Sequence, residues 1–158
     1  MENTVTQYIK NILSLSEEKL SVLKEFLGFL NKIKEEACSG KEDAPENIAA
    51  LADLCGNLVE KIQNIDLTLR HYSAEIGEIN NKMPTNGLQK GKLSEIQTDI
   101  NKVLADIKIA DAVNSEKISL LMKELQEKYK AAKEKRILID KFTNREVSES
   151  GTLLDIKK

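Results

Sequence analysis

Residues 48–83 decide the fold of this chain, and they read IAALADLCGNLVEKIQNIDLTLRHYSAEIGEINNKM. Hydrophobic side chains recur in this stretch at alternating steps of three and four residues, which is the a/d spacing of a coiled-coil-like helix. Eleven successive a/d positions are apolar: Ile48, Leu51, Cys55, Leu58, Ile62, Ile65, Leu69, Tyr72, Ile76, Ile79 and Met83. We therefore predict a long amphipathic helix that buries a narrow stripe against neighbouring helices.

Signals at both ends of this stretch predict where the helix begins and ends. Asp43 followed by Glu46 resembles a capping box, and Pro45 fits the first helical turn. Residues 84–87, Pro-Thr-Asn-Gly, cannot continue a helix and supply turn residues for a chain reversal. We place this helix at residues 46–83.

A first helical block precedes it at residues 5–37. Only Lys19 interrupts its apolar stripe, which consists of Tyr8, Ile12, Leu15, Leu23, Phe26, Leu30, Ile33 and Ala37. A short polar connection, residues 38–44, has the length that joins antiparallel neighbours. We expect the first two helices to form an antiparallel hairpin.

A third block, residues 90–141, is predicted to be the longest helix. Its apolar stripe consists of Leu93, Ile96, Ile100, Val103, Ile107, Ala110, Ile118, Leu121, Leu125 and Ala132. Two polar residues, Asp111 and Asn114, interrupt the stripe. This interruption predicts a kink, a buried polar residue that fixes the register, or a functional break. The predicted fold is thus all-α: a hairpin plus a longer third helix in a single domain, residues 1–141. Residues 142–158 carry too few apolar side chains to order themselves and are expected to be a flexible tail.

The third helix outruns its predicted antiparallel partner by about 13 residues, or roughly 20 Å. This surplus, residues 125–142, is rich in apolar side chains, among them Tyr129, Ile137, Leu138, Ile139 and Phe142. Either it extends as an unpaired helix that needs a partner, or the helix bends at residues 111–114 or breaks near Lys135 and folds the segment back onto the bundle.

Composition and charge exclude several classes of partner. The net charge of −2 and the pI of about 5.6 lack the basic excess that phosphate binding requires, so we expect no nucleic acid. No uninterrupted apolar run approaches the length of a membrane-spanning helix. Residues 1–6 lack the basic start and the apolar core of a signal peptide, so a cytoplasmic location is expected.

The sequence contains no residue pattern typical of a catalytic, cofactor or metal site, and we expect no enzyme activity. The lone histidine, His71, lies beside the seam of the second helix and is expected to cap the edge of the core. Cys38 and Cys55 have no zinc or redox spacing, so we interpret Cys55 as a small core residue and Cys38 as incidental. The basic run at residues 123–136 contains three interleaved glutamates, which predicts an ion-paired helix face.

A helical hairpin followed by a longer distal helix resembles the FlgN/FliT class of flagellar export chaperones. Locally the resemblance rests on residues 111–121, Asp-Ala-Val-Asn-Ser-Glu-Lys-Ile-Ser-Leu-Leu, where a polar Asn-containing segment precedes a Leu-Leu pair. Residues 151–158, Gly-Thr-Leu-Leu-Asp-Ile-Lys-Lys, are similar to the short endings of some members.

The resemblance implies a chaperone that keeps hook-associated or filament-cap proteins soluble for type III export, with the distal helix receiving a terminal amphipathic segment of the client. It also implies contact with the export apparatus, for which the sequence shows no motif. The predicted partner-binding residues are Ile118, Leu121, Leu125, Tyr129, Ala132, Ile137, Leu138 and Phe142. The last three are expected to extend the row that the others form.

The alternative is a non-enzymatic helical scaffold or a self-associating coiled-coil adaptor. Ala52, Leu54 and Val59 widen the stripe in the first half of the second helix, as a helix with two neighbours requires. A scaffold should be a tight oligomer whose stability depends on concentration, whereas a chaperone should be a monomer or weak homodimer.

Overall fold

The computed structural model describes the backbone of residues 2–80 and 87–149 and the side chains of residues 4–76 and 91–143. Outside these ranges lie several predicted features: the turn at residues 84–86, the seam side chains Ile79 and Met83, and residues 150–158 of the tail.

Three helices account for nearly all of the described chain. Helix α1 is Glu2–Cys38, α2 is Ala44–Asn80 and α3 is Gly87–Glu149. The all-α fold predicted from the sequence, with a third helix longer than the other two, is confirmed: α3 has 63 residues, whereas α1 and α2 have 37 each. None of the described helices combines the length and apolar content needed to cross a membrane.

A short loop between α1 and α2 reverses the chain. The Ser39 hydroxyl donates a hydrogen bond to the Glu36 carbonyl over 2.7 Å, which satisfies one of the free acceptors at the end of α1. Gly40 follows with a φ of 69°, in the left-handed region that glycine adopts without steric cost. The Asn47 amide donates to the Asp43 carbonyl over 3.0 Å, and α2 begins directly after Asp43.

Contacts between opposite ends of the two helices show that the hairpin is antiparallel. Val5 and Ile9, near the start of α1, form a buried cluster with Ile76, near the end of α2. Tyr8 packs against this cluster, and the centroid of its ring lies 5.5 Å from that of Tyr72 on α2. The predicted hairpin is therefore present.

The charged residue in the α1 stripe has a partner on α2. Lys19 Nζ lies 2.7 Å from Asp66 Oδ1. This ion pair explains how a lysine is accommodated in an otherwise apolar stripe, since the ammonium group is neutralised at the edge of the helix interface. A second polar contact, from Asn47 Nδ2 to Glu36 Oε2 over 3.3 Å, joins the helices near the loop.

The predicted seam of α2 is the face that the structure buries. Every described a/d side chain, from Ile48 to Ile76, is buried or half-buried. By contrast, Ala52, Leu54 and Val59 are exposed, so the expectation that they widen the packed face is wrong. The a/d positions alone are sufficient to contact both neighbouring helices. Ile62, which occupies one of them, packs against a cluster that includes Ile100 and Val103 of α3.

The chain divides into two compact units, Met1–Lys117 and Ile118–Lys158, whereas the sequence predicted one domain ending at residue 141. The first unit contains the three-helix core. Its centre is a cluster of Leu23, Ile100 and Val103, surrounded by Leu20, Leu27, Ile62, Ile96 and Ile107. Side chains from all three helices thus meet in this unit.

The predicted interruption of the α3 stripe is a buried polar contact. Asn114 is only 3% exposed, and its Nδ2 donates a hydrogen bond to the Leu30 carbonyl of α1 over 2.7 Å. Helix α3 is continuous through residues 111–114 and past Lys135, so the structure has no helix break at either position. Of the three predictions for this segment, the structure agrees with the buried polar residue, since Asn114 of α3 is hydrogen-bonded to α1. The helix ends at Glu149, beyond the predicted end at residue 141.

Candidate partner-binding surface

All eight predicted partner-binding residues lie on α3, in the unit Ile118–Lys158. Ile118 and Leu121 are half-buried, and the other six are exposed. Leu125 is 40% exposed, Tyr129 is 72% exposed and Phe142 is 64% exposed. Every described side chain from residue 122 to residue 143 is exposed, so this part of the helix carries a large uncovered apolar load.

Helix geometry divides the predicted residues between different faces. Successive residues of an α-helix are rotated by about 100°, so five of them fall within an arc of about 80°. These five are Ile118, Leu121, Leu125, Tyr129 and Ala132. Phe142 and Leu138 lie roughly 100° and 140° away from the middle of that arc, and Ile137 lies about 120° away in the other direction. The expectation that Ile137, Leu138 and Phe142 extend one row is therefore wrong.

Ile139 continues the row instead, although it is not among the eight predicted partner-binding residues. It follows Ala132 by seven residues, which is two helical turns, and it is 55% exposed. The signal that identifies it is the same three-four spacing that defines the seams of the bundle, applied one step further. We call Ile118, Leu121, Leu125, Tyr129, Ala132 and Ile139 the apolar row.

The apolar row keeps the spacing of the buried seam that precedes it on α3. Steps of three or four residues lead from Ile100 and Val103 through Asn114 to Ile118. The same steps then lead through the apolar row, where Arg136 occupies the one position that is not apolar. A seam of this kind is the face that a helix presents to another helix.

The unit that carries the apolar row is basic, although the chain is acidic. Between residues 118 and 143 there are seven basic and four acidic side chains, a net charge of +3, while the whole chain has a net charge of −2. Among the described side chains, the ion pairs are Lys19 with Asp66 and His71 with Glu75. The predicted ion-paired face at residues 123–136 is therefore wrong, because none of its basic groups lies within 4.0 Å of a described carboxylate.

A second apolar feature lies in the first unit, between α1 and α3. It is an open groove of about 320 Å³. Its lining consists of Leu27, Asn31 and Lys34 from α1 and Asp106, Ile109, Ala110 and Val113 from α3. Ile109 is 64% exposed there, and sequence reasoning missed it because it falls outside the seam spacing. The groove provides a comparison surface for experiments on the apolar row.

The other residues considered from the sequence form no chemical site in the described part of the chain. His71 is exposed, with Nε2 3.1 Å from Glu75 Oε1, and so does not cap the core edge by burial. The Glu75 carboxylate, as a hydrogen-bond partner and a nearby negative charge, raises the pKa of the Tyr8 hydroxyl. Cys55 is buried, and its burial raises the pKa of the thiol; Cys38 is exposed. Within the described residues, no group of three or more His, Cys, Asp or Glu side chains is placed to hold a metal ion.

Comparison with known proteins identifies no relative: no family model, no curated sequence and no solved structure matches this chain.

Proposed function

We propose that this chain is a cytoplasmic binding protein of the chaperone type, which holds an amphipathic segment of a client protein on the apolar row of α3. The observation that carries the proposal is the exposure of that row from Leu125 onward. Leu125 and Tyr129 lie at seam positions of a continuous helix, yet they are 40% and 72% exposed. Seam side chains are normally buried against another helix, so a helix supplied by a partner is the natural cover.

The shape of the row suits a helix rather than an extended peptide. From Ile118 to Ala132 its members recur every three or four residues, and Ile139 follows after seven, which matches the i, i+3, i+4 and i+7 anchors of an amphipathic helix that lies along it. Ala132 is small and permits close approach of the partner backbone between the larger Tyr129 and Ile139. Burial of a large apolar side chain is worth about 1.5 to 3 kcal/mol, so three or four such contacts support stable binding.

The chaperone role follows from what such a complex does to the client. An amphipathic segment that leaves its own apolar face uncovered is prone to aggregate. The apolar row would cover that face until the client is handed on. By the resemblance to the FlgN/FliT class, the proposed clients are hook-associated or filament-cap proteins, and the proposed recipient is the flagellar type III export apparatus.

The test is co-purification of clients with the tagged full-length chain from a lysate of its own organism, with bound proteins identified by mass spectrometry. The variant Leu125→Glu/Tyr129→Glu should lose client capture by at least about 100-fold, because two charges would be placed where apolar contacts are needed. The matched control is Leu104→Glu/Ile109→Glu, which places two charges on exposed apolar positions of α3 in the first unit. This control should capture clients normally.

Two results would contradict the proposal. Equal loss of capture in both double variants would mean that charge on α3 disturbs binding in general. Recovery of the chain alone, as a tight oligomer that the Leu125→Glu/Tyr129→Glu variant dissociates, would identify a self-associating scaffold instead. Circular dichroism of each variant shows whether the helices are retained. A loss of helical signal would show that the replaced side chains stabilise the fold and do not form a separate binding surface.

A further inference from the structure

We infer that the partner helix which occupies the apolar row is acidic, with Asp or Glu side chains on both flanks of its own apolar face. The inference rests on the proposed function and specifies the class of partner. It depends on how charge is distributed around α3.

The charged side chains that flank the apolar row between Leu125 and Ile139 are all basic. At about 100° per residue, Lys128 and Lys135 lie on one side of the row, Lys133 lies on the other and Arg136 lies within it.

The acidic side chains of the same stretch lie elsewhere on the helix. Glu127 and Glu134 fall on the opposite face, together with Lys130. The basic groups are thus gathered beside the exposed apolar side chains, and no described carboxylate within 4.0 Å neutralises them.

A helix docked in the row would bring its own flanking positions close to these basic groups. In paired helices the residues beside the seam set partner choice through their charges. Carboxylates at those positions would pair with Lys128, Lys133, Lys135 and Arg136, whereas a basic helix would be repelled.

A second copy of this face is a poor occupant for the same reason. Self-pairing would bring the flanks Lys128, Lys133 and Lys135 against the same basic flanks of the other copy. The acidic side chains nearest this stretch of the row, Glu124 and Asp140, lie just before Leu125 and just after Ile139. The net charge of +3 between residues 118 and 143 therefore favours a different, acidic partner.

The width of the row distinguishes a partner helix from an anionic membrane surface, which basic amphipathic helices also bind. The apolar row spans an arc of about 80°, which is the narrow seam of helix pairing. Lysines on both flanks, Lys128, Lys133 and Lys135, separate it from the exposed apolar side chains on the other faces, Ile137, Leu138 and Phe142. A helix that lies in a membrane interface presents a broad apolar face with aromatic and large aliphatic side chains across it. Here Ala132 and Arg136 occupy central positions of the face.

The test uses the full-length chain and two synthetic helical peptides as probes. Both peptides carry Leu and Ile at the same seam positions. One carries Glu at the flanking positions, and the other carries Lys. We expect fluorescence anisotropy to show binding of the Glu peptide at least about tenfold tighter than the Lys peptide, with the difference shrinking as salt rises.

The charge-reversed variant Lys128→Glu/Lys133→Glu/Lys135→Glu should reverse this preference. Its matched control, Lys123→Glu/Lys130→Glu/Lys141→Glu, makes the same change in net charge on the opposite face of the helix. The control should keep the preference for the Glu peptide, with an affinity within about threefold of the unaltered chain.

Several outcomes would overturn the inference. Equal binding of both peptides would show that the row recognises apolar surface without regard to charge, and would leave the proposed function intact. Binding to neither peptide would contradict both. Capture by anionic phospholipid vesicles without capture of the Glu peptide would identify a membrane surface as the partner. Equal effects of the two triple variants would show that the peptide preference depends on the net charge of the chain and not on the lysines beside the row.

Discussion

Asn114 is the side chain whose environment is least expected from composition alone. It lies at a seam position of α3, is 3% exposed and donates a hydrogen bond to the Leu30 carbonyl. Its Oδ1 atom has no hydrogen-bond partner, although it is buried. An unpartnered buried acceptor costs about 1 to 3 kcal/mol, so this contact favours one alignment of α3 against α1 more than it stabilises the fold.

Replacement of Asn114 by leucine should therefore stabilise the protein. The variant Asn114→Leu removes the unpartnered acceptor and replaces the amide with an apolar side chain that has the same number of heavy atoms. The Leu30 carbonyl can still accept the hydrogen bond of its own helix. We expect the free energy of unfolding from urea titration to rise by about 1 kcal/mol.

A variant that leaves a gap separates the two effects. Asn114→Ala should lower the free energy of unfolding by about 1 kcal/mol or more, since it creates a cavity and gains no contact. If Asn114→Leu is also less stable than the unaltered chain, the hydrogen bond to Leu30 outweighs the cost of the buried oxygen. Asn114 would then be a stabilising contact rather than an alignment device.

At the scale of single helices, α2 could be predicted closely and α3 only in part. The a/d spacing of α2 coincides with its buried face because one narrow stripe satisfies both of its helical neighbours. The end of α3 could not be predicted from the polar composition after Lys141. Low apolar content argues against burial, but it does not stop a helical backbone, and no proline or glycine occurs between residue 92 and Glu149.

The same distinction explains the mixed outcome for the predicted binding residues. Spacing identified Leu125, Tyr129 and Ala132, which share a face. Apolar character alone selected Leu138 and Phe142, which lie on another face, and overlooked Ile139. Exposure of the row could not be read from the sequence, since a buried seam and an exposed seam have the same spacing.

Hydrogen exchange should reveal the difference between the two parts of α3. Amides of residues 91–117 belong to a helix with buried side chains, whereas side chains from residue 122 to residue 143 are exposed. Helices without tertiary contacts open readily. We expect amides of residues 122–143 to exchange at least about 100-fold faster than those around Ile100 and Val103, measured by mass spectrometry. Equal protection throughout α3 would indicate that another surface covers the apolar row in the free protein.

At the scale of the whole molecule, stability and binding are assigned to different parts of the chain. The buried side chains among the described residues lie between Val5 and Asn114. The proposed binding surface begins at Ile118. Exposed apolar side chains add little to folding, so the binding surface can be altered at small cost to the free energy of unfolding.

Removal of residues 123–158 tests this separation. Because the buried clusters built on Val5 and on Leu23 remain intact, the shortened chain should still melt cooperatively. We expect its Tm, followed by circular dichroism, to lie within about 5 °C of the full chain, while its total helical signal falls and client capture is lost. A drop of more than about 10 °C would mean that the deleted residues contribute packing to the core. The same measurement on the Leu125→Glu/Tyr129→Glu variant is the matched control, since that variant keeps the full length and should lose client capture with neither a lower Tm nor a smaller helical signal.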